Sequence, residues 1–410
     1  MLKVNKLLSI LLPRRIVLDL KYLYQMAYRF FYGKKKMNCA YCVDERRKKR
    51  SHTFFGYYDV SPYNHKTDEV VYLRHIEGTD YCQVILSHLF KESEKVLAKT
   101  NSWNWQQGAR LRWMPNNSRE IIFNDFINGK YISRILNIDS GKERIINAPL
   151  YDISSDGRLG LSIDFERLQA KRPGYGYSCN QHIEKKECLN DEGIDIVDIE
   201  TNTKKRIVTY SQISDLPGCR SNDFDKNYLN HISFSPSGDK FLFFWLQEEK
   251  KVHLAKLIVF DINSEKFTVL ESTERSSHYV WENDDNIICT AYYGIHDCHY
   301  YRYTISTNSK ELLCPDLLNE DGHPSFIGKN IIITDTYPDR FGYQHVFKVN
   351  LDKRTKKEIG AFYSNCRIEG ERRTDLHPRF SVNKQMLSID INSNKLRKTC
   401  FIKIGDILES

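Results

Sequence analysis

The N-terminal segment of this 410-residue chain lacks an apolar run long enough to cross a bilayer as a helix. Its longest uncharged stretch, residues 7–13, is far short of the roughly 20 apolar residues that a spanning helix needs, and it lacks a small-residue cleavage site. The eleven cysteines are odd in number and follow no regular spacing, which argues against a disulfide-stapled secreted domain. We therefore expect reduced thiols and a cytoplasmic protein.

Several catalytic signatures are also missing. The chain has no glycine-rich phosphate loop and no G-x-S-x-G nucleophile elbow, and Cys39 and Cys42 form its lone C-x-x-C motif. Nucleotide-dependent chemistry is therefore not expected, and a zinc or redox site at the lone motif is a weak alternative. Methionine is scarce, with 5 residues, whereas 25 Tyr and 21 Phe favour strands over helical bundles.

The net charge of +8 is distributed unevenly. Residues 1–50 hold fourteen Lys or Arg and three Asp or Glu, a net charge of +11, so the rest of the chain carries −3. A nucleic-acid-binding domain normally carries its basic face on its folded body, so we expect no nucleic-acid partner. Residues 1–50 are predicted to be a basic helical segment and linker, separate from a domain at residues 51–410.

Apolar residues recur at helical spacing from Ile16 to Phe31, which predicts an amphipathic helix. One interpretation places this helix on an anionic membrane surface, where each basic residue contributes roughly 1 kcal/mol. The protein would then be peripheral on the inner face of the cytoplasmic membrane. The alternative is a helix that packs on the domain and is followed by a solvated basic linker.

From residue 51 onward the chain repeats one phrase, in which an apolar strand, a polar turn and a second strand follow one another. Seven such hairpins recur at a period of about 50 residues, and each is followed by a further strand pair. Four-stranded units at this period predict an all-β fold, a seven-bladed β-propeller, with a β-sandwich or a six-bladed ring as alternatives. The last unit looks one strand short, so residues near 52–55 are expected to close the ring.

Histidine stands at the same register in four of these hairpins. In a propeller the first strand of each blade lines the central axis, so residues just before it surround one mouth of the channel. The four residues are His231, His278, His323 and His377. Converging imidazoles suit a divalent metal such as Mn²⁺, Fe²⁺ or Zn²⁺, and the alternative is that each ring bonds a neighbouring blade.

Other candidates come from strand ends and from two long insertions, residues 164–193 and 211–230. Arginines there or beside the histidines could clamp carboxylates, or could form surface or inter-blade ion pairs. Tyrosines could stack on sugar rings or donate a phenolic proton. These candidates are Arg172, Arg220, Arg379, Tyr175, Tyr177 and Tyr337, with Asp125 and Asp335 at the ends of second strands.

Three hairpins resemble those of oligogalacturonate lyases, seven-bladed propellers that hold Mn²⁺ through axial histidines. They are His231-Ile-Ser-Phe-Ser-Pro-Ser-Gly, Asp321-Gly-His-Pro-Ser-Phe and Asp375-Leu-His-Pro-Arg-Phe-Ser. The resemblance covers mainly residues 230–390. Residues 51–59 and 172–177 look like segments of propeller proteins from bacterial surface-polysaccharide gene clusters. The lyases also use a glutamine ligand, and this sequence shows no convincing glutamine beside its histidines.

The resemblance implies a metal-dependent enzyme that carries out β-elimination on a uronate in an oligosaccharide or polysaccharide. It implies metal ligation, most readily of Mn²⁺, by His231, His278, His323 and His377. Catalysis would use Arg220, Arg379 and Tyr337, and substrate binding would use Arg172, Tyr175, Tyr177, Asp125 and Asp335. The alternative is a non-catalytic propeller that binds a glycan or a protein within a polysaccharide-assembly complex.

Overall fold

The computed structural model describes residues 12–32, 41–42, 51–179, 192–221, 223–249, 252–271, 275–293, 297–381, 383–393 and 395–405. Within these residues the strands form seven antiparallel units of four strands each, here called blades 1 to 7. Blades 4 and 5 are joined by a single parallel pairing of Ala255 with Arg275. The predicted all-β propeller with seven blades is confirmed.

Each blade is built from strands that are adjacent in the chain. The strands of blades 1 to 3 are Ser51–Phe54, Glu69–Ile76, Cys82–His88 and Lys91–Thr100; Arg112–Met114, Asn117–Ile127, Lys130–Asn137 and Glu143–Ile146; and Asp152–Ile153, Leu159–Ser162, Gly193–Asp198 and Thr203–Thr209. Those of blades 4 and 5 are Asn227–Phe234, Lys240–Glu249, Val252–Asp261 and Lys266–Glu271; and Arg275–Trp281, Asn286–Tyr292, Cys298–Thr304 and Ser309–Leu313. Those of blades 6 and 7 are Ser325–Gly328, Ile331–Asp335, Tyr343–Asn350 and Thr355–Tyr363; and Arg379–Phe380, Met386–Ser393, Leu396–Lys403 and Tyr41–Cys42.

The ring is closed by a strand from the N-terminal segment. Tyr41–Cys42 pairs antiparallel with Leu396–Lys403 and is the fourth strand of blade 7. The prediction that residues near 52–55 close the ring was wrong, because Ser51–Phe54 is the first strand of blade 1 and pairs with Glu69–Ile76. A two-residue strand carries no alternation of apolar and polar residues, so periodicity does not reveal it.

The helices lie outside the blades. The predicted N-terminal helix is confirmed at Arg14–Tyr32. The two insertions contain Phe165–Lys171, which Asp164 caps, and Tyr210–Ser214, which begins with a capping box. Single 3₁₀ turns occur at Phe224–Lys226 and Gly370–Arg372. Residues 180–191 of the first insertion lie outside the described residues.

Blade 7 contains a buried ion-pair group. The carboxylate of Asp390 lies 3.1 Å from Nη2 of Arg379 and 2.9 Å from Nη2 of Arg397, and the Thr399 hydroxyl donates to it over 2.7 Å. All four side chains are buried. Burial lowers the pKa of Arg379, and Asp390 opposes that effect. Because an unpaired buried charge costs far more than a complete ion pair, the group stabilises blade 7 only while it is intact.

We expect replacement of the central carboxylate to destabilise the protein. Asp390→Ala leaves two buried guanidinium groups without their counter-ion, which should cost about 3–5 kcal/mol of unfolding free energy in urea denaturation. The matched control is Asp316→Ala, which removes the partner of Arg354 in an exposed ion pair. That change should cost less than about 1 kcal/mol. Equal losses for the two variants would contradict the role given to Asp390.

Candidate metal centre on the propeller axis

The structure brings the four predicted histidines together around one tyrosine ring. The ring centroid of Tyr57 lies 4.9 Å from that of His231, 6.3 Å from His278, 5.8 Å from His323 and 4.7 Å from His377. Rings from successive blades are 6.1, 4.1 and 4.5 Å apart. All five side chains are buried. We call Tyr57 and the four histidines the axial cluster.

Two of these histidines have left-handed backbone, with φ of +51° at His231 and +48° at His377. Arg110, just before the first strand of blade 2, has φ of +52°. Residues other than glycine adopt this conformation at a cost of about 1–3 kcal/mol and tend to do so at functional sites. The recurrence in three blades indicates that a particular side-chain placement near the axis is maintained against this cost.

In three of the histidines, Nδ1 lies within hydrogen-bond distance of an oxygen atom. Asp321 Oδ1 lies 3.0 Å from Nδ1 of His278, and Asp335 Oδ1 lies 2.8 Å from Nδ1 of His323. Nδ1 of His377 donates to the carbonyl oxygen of Gly56 over 2.9 Å. Because a carbonyl only accepts, Nε2 of a neutral His377 keeps its lone pair.

That Nε2 atom of His377 is buried and has no hydrogen-bond partner in the described part of the chain. An oxygen on one ring nitrogen is the usual support of a metal-ligating histidine, since it orients the other nitrogen and makes it more basic. For His377 this oxygen is the carbonyl oxygen of Gly56, whose backbone conformation is itself restricted. Gly56 has φ of +143°, and a Cβ on it would lie 2.8 Å from the carbonyl oxygen of Gln107. Only glycine fits at this position.

A carboxylate completes a possible ligand set. The ligand atoms offered by His323, Asp375 and His377 lie within 4.8 Å of one another, and all three residues are buried. Two imidazoles and a carboxylate are donors that suit a divalent cation such as Mn²⁺, Fe²⁺ or Zn²⁺. The residues present therefore fit the divalent metal that the sequence predicted. Of the four histidines predicted as ligands, His323 and His377 belong to this set and His231 and His278 do not.

Sequence reasoning missed Asp375 and Asp321 as candidates, although a signal was present. Each stands two positions before a histidine in the phrase Asp-x-His-Pro, at Asp321-Gly-His323 and Asp375-Leu-His377. In the structure each aspartate reaches toward the histidine of the preceding blade. Asp321 bonds His278, and Asp375 adjoins His323. The repeated phrase in two successive blades could have identified both.

Asp375 is paired with an arginine that the sequence analysis also passed over. Nε of Arg373 lies 2.9 Å from Oδ1 of Asp375, and Nη2 lies 2.6 Å from Oδ2. Burial raises the pKa of Asp375, but the charge of Arg373 and its hydrogen bonds outweigh this effect, so the pKa is lowered and the carboxyl stays ionised. The Arg373 side chain remains 36% exposed and can therefore also meet a ligand.

The pKa values of the four imidazoles are shifted in different directions. Burial, together with neighbouring His278, holds the pKa of His231 well below its ordinary value, and burial with His323 does the same for His377. Burial and His323 also lower the pKa of His278. Burial works against protonation of His323 as well, but there Asp335 prevails and the pKa is raised. Without a metal, His323 is thus the axial histidine that carries a proton most readily.

Four more predicted residues lie beside the axial cluster. The Tyr175 ring is 6.0 Å from that of His231, and the guanidinium of Arg172 lies 4.7 Å above Tyr175. The Tyr337 ring is 6.0 Å from that of His323. Asp335 orients His323, a different role from the substrate contact predicted for it. Burial and the charges of Asp375 and Asp321 raise the pKa of Tyr337 well above its ordinary value, so its phenol stays protonated.

Two predicted substrate-binding residues have their contacts away from the axial cluster. Tyr177 packs in the core against Phe165, with ring centroids 4.5 Å apart, and its hydroxyl accepts from Asn124. Asp125 forms an ion pair of 2.7 Å with Arg134 of the adjacent strand. The alternation of side chains along the strand explains why Asp125 lies away from the axial cluster, because neighbouring Asn124 and Asp125 point to opposite faces.

The two predicted catalytic arginines also differ from expectation in their contacts. Arg379 lies in the buried ion-pair group of blade 7, and its Nη1 donates to the carbonyl oxygen of Gly56 over 2.9 Å. It therefore supports the residue that holds His377. Arg220 is exposed on the second insertion. Arg373, close to Asp375, Tyr175 and Tyr337, is the arginine that the structure places at the possible ligand set.

A glutamine that no sequence pattern singles out also adjoins the axial cluster. Nε2 of Gln107 donates to the Tyr151 hydroxyl over 2.7 Å and to Oδ1 of Asn230 over 3.0 Å. Nδ2 of Asn230 in turn lies 3.3 Å from Nε2 of His231. Oε1 of Gln107 is buried and unpaired among the described residues. The glutamine is far from the histidines in sequence, so only the packing of the blades around the axis reveals it.

Comparison with known proteins finds no matching family model and no matching curated protein. Solved structures do match. The chain is similar to an oligogalacturonate lyase in complex with manganese, with 12% identity over 88% of this chain and 92% of that one and a TM-score of 0.65. It is also similar to an oligogalacturonate lyase from Vibrio parahaemolyticus, with 11% identity over 91% and 98% of the two chains and a TM-score of 0.63.

A prolyl endopeptidase structure matches 95% of this chain and 53% of its own, with 10% identity and a TM-score of 0.55. At such low identities these likenesses establish the propeller fold and nothing finer. The resemblance to oligogalacturonate lyases is thereby confirmed at the level of architecture.

We expect the contrast between the histidines to be visible by NMR in metal-free protein. Because Asp335 raises the pKa of His323, its imidazole should titrate above the ordinary value near 6.5. A raised pKa adds stability that is fully present below the unfolded-state pKa and is lost as the pH rises through the folded-state pKa. Asp335→Asn should move this titration to lower pH, with His323→Gln used to assign the signal. An unchanged titration in Asp335→Asn would contradict the assignment.

Proposed function

We propose that this protein is a metal-dependent, lyase-like enzyme that acts on uronate-containing oligosaccharides. The observation that supports this most directly is the buried set of His323, Asp375 and His377, with Arg373 paired to its carboxylate. The names of two similar structures, oligogalacturonate lyases of which one is in complex with manganese, agree with this reading. We further propose a role in bacterial surface-polysaccharide metabolism on the cytoplasmic side of the membrane.

The chain's own residues suit the binding of a divalent ion, most readily Mn²⁺. His323, His377 and Asp375 would hold it, with Asp335 and the Gly56 carbonyl orienting the two imidazoles. A divalent ion there would supply a Lewis acid that polarises a uronate carboxylate and so acidifies the neighbouring C–H bond. The exposed part of Arg373 would pair with the same carboxylate.

β-Elimination then requires a base and an acid. The base takes the proton on the carbon next to the carboxylate, a C=C bond forms, and the C–O bond to the departing sugar breaks, leaving an oxygen that takes up a proton. We assign the base role to His278, whose lowered pKa keeps it neutral and whose Nδ1 is held by Asp321. We assign the acid role to Tyr337, whose phenol stays protonated.

A second candidate function is binding of a glycan or a protein without turnover. One observation favours it. Tyr57 contacts all four axial histidines, and the histidines are themselves at most 7% exposed, so a substrate that reaches them must displace or slide past an aromatic ring. This alternative predicts binding that does not respond to chelators and yields no unsaturated product.

We expect protein purified without chelator to contain on the order of one divalent ion per chain by elemental analysis. Asp375→Ala and His377→Ala should lose this ion, because each removes a donor from the ligand set. The matched control is His345→Ala, since His345 is bonded to Glu358 in blade 6 and is not part of the set. Folded wild-type protein without metal would exclude the mechanism proposed above and leave the binding propeller as the better assignment.

We expect Arg373→Ala to lower kcat/KM for uronate oligosaccharides by roughly 10²- to 10³-fold, because the charge that develops on the carboxylate loses a positioned partner. Turnover is followed by the ultraviolet absorbance of the new C=C bond next to the carboxylate. Arg373→Lys should recover only part of the activity, since lysine keeps the positive charge but lacks the two parallel N–H donors of a guanidinium group.

Metal content is measured for the same variants, because Arg373 also pairs with Asp375. Arg354→Ala, which removes an arginine from an exposed ion pair with Asp316, is the control and should keep both metal and activity. An Arg373→Ala enzyme that keeps its metal and its full activity would remove Arg373 from the proposed reaction.

A further inference from the structure

The N-terminal helix Arg14–Tyr32 attaches to the propeller mainly through polar groups. Gln25 is fully buried, and its Oε1 accepts a hydrogen bond from the Tyr363 hydroxyl over 3.4 Å. Asp19 accepts from Nε of Arg367 over 2.8 Å. The helix side that packs against the protein is therefore the side that a surface helix of a globular protein usually exposes to water.

Aromatic contacts add to this attachment. The ring of Tyr28 stacks on that of Phe341 with 3.7 Å between centroids, and the guanidinium of Arg29 lies 4.0 Å above the Tyr363 ring. Arg14 also bonds Glu369 over 2.8 Å. The helix thus has a defined orientation on blade 6 and on the segment that leads to blade 7.

The opposite side of the helix is apolar and exposed. Its large side chains follow the helical period, at separations of four, three and seven residues with Phe31 directly after Phe30, so they form one stripe along the helix. They are Ile16, Leu20, Leu23, Phe30 and Phe31, which are 45, 45, 60, 83 and 76% exposed. Exposed phenylalanines next to each other at the end of such a stripe indicate that something apolar covers it.

The charge around this stripe restricts what can cover it. Arg15 and Lys21 lie on the helix, and the sequence continues with basic runs at residues 34–36 and 46–50, within a segment of net charge +11. A second copy of the chain would bring another such segment close and cause repulsion. An anionic lipid surface offers both an apolar layer for the stripe and negative charge for the basic residues.

We propose that the Arg14–Tyr32 helix binds an anionic lipid bilayer, with its axis in the plane of the headgroups and the stripe directed toward the acyl chains. Among the described residues no helix is long and apolar enough to cross a bilayer. The polar contacts of Gln25 and Asp19 would hold the propeller on the water side. This inference stands apart from the proposed enzymatic function, since it uses none of the axial residues.

The test is co-sedimentation of the full chain with vesicles of mixed phosphatidylglycerol and phosphatidylcholine. Binding should be strong to these vesicles, weak to pure phosphatidylcholine, and reduced by salt, because exposed charges are screened. Phe30→Ala/Phe31→Ala should weaken binding by roughly tenfold or more, since two large apolar side chains no longer enter the bilayer. Arg15→Glu, at an exposed position of the helix, should weaken it through charge alone.

The matched control is Phe90→Ala/Leu312→Ala, which removes two exposed apolar side chains elsewhere, 56 and 44% exposed, and should bind as wild type does. Melting temperature is recorded for every variant to show that each is folded. No binding of wild type to the anionic vesicles would overturn the proposal. So would a dimer in sedimentation equilibrium that Phe30→Ala/Phe31→Ala dissociates, because a second copy would then cover the stripe.

Discussion

Burying several imidazoles on one axis costs free energy unless each ring finds hydrogen-bond partners, and the construction of the axial cluster follows from this requirement. Asp321, Asp335 and the Gly56 carbonyl each take one ring nitrogen. Two of these three partners bond a histidine of another blade, so satisfying the polar groups also ties blades together. The cluster therefore stabilises the closed ring as well as supplying residues of the candidate metal centre. The position of the Gly56 carbonyl matters for the same reason, since it accepts hydrogen bonds from both His377 and Arg379.

The sequence was sufficient for the parts of the structure that depend on local pattern. The recurring hairpins identified seven blades, and the shared register identified all four axial histidines, because each blade folds from residues close together in the chain. The closing strand Tyr41–Cys42 was not predictable in this way. It is too short for periodicity, and its partner Leu396–Lys403 is more than 350 residues away in the sequence. Gln107 was missed for a related reason, because it precedes blade 2 and meets Tyr151 and Asn230 only once blades 2 to 4 are packed around the axis.

Asp125 and Tyr177, whose contacts lie away from the axial cluster, show a second limit. The end of a second strand lies at the same mouth as the start of the first, but the strand's alternation decides which face a given side chain occupies. Asn124 and Asp125 are consecutive, and Asn124 points inward to Tyr177 while Asp125 bonds Arg134. The sequence also does not show which charged groups of different blades lie close together. Asp375 and Arg373 are only two residues apart in the sequence, so their pairing is local. Asp375 becomes part of the possible ligand set only because His323 of the preceding blade lies beside it.

The N-terminal helix and the possible ligand set are parts of one continuous stretch of structure. The helix contacts Phe341, Tyr363 and Glu369, and the chain then runs directly through Gly370–Arg372 to Arg373 and Asp375. The backbone of Glu371 and that of Arg373 in turn accept hydrogen bonds from the side-chain amide of buried Gln106. The segment is thus held by the helix at Glu369 and by Gln106 at Glu371 and Arg373. Because partly exposed Arg373 pairs with the carboxylate of the ligand set, the segment that the helix contacts at Glu369 also supplies Asp375 to that set.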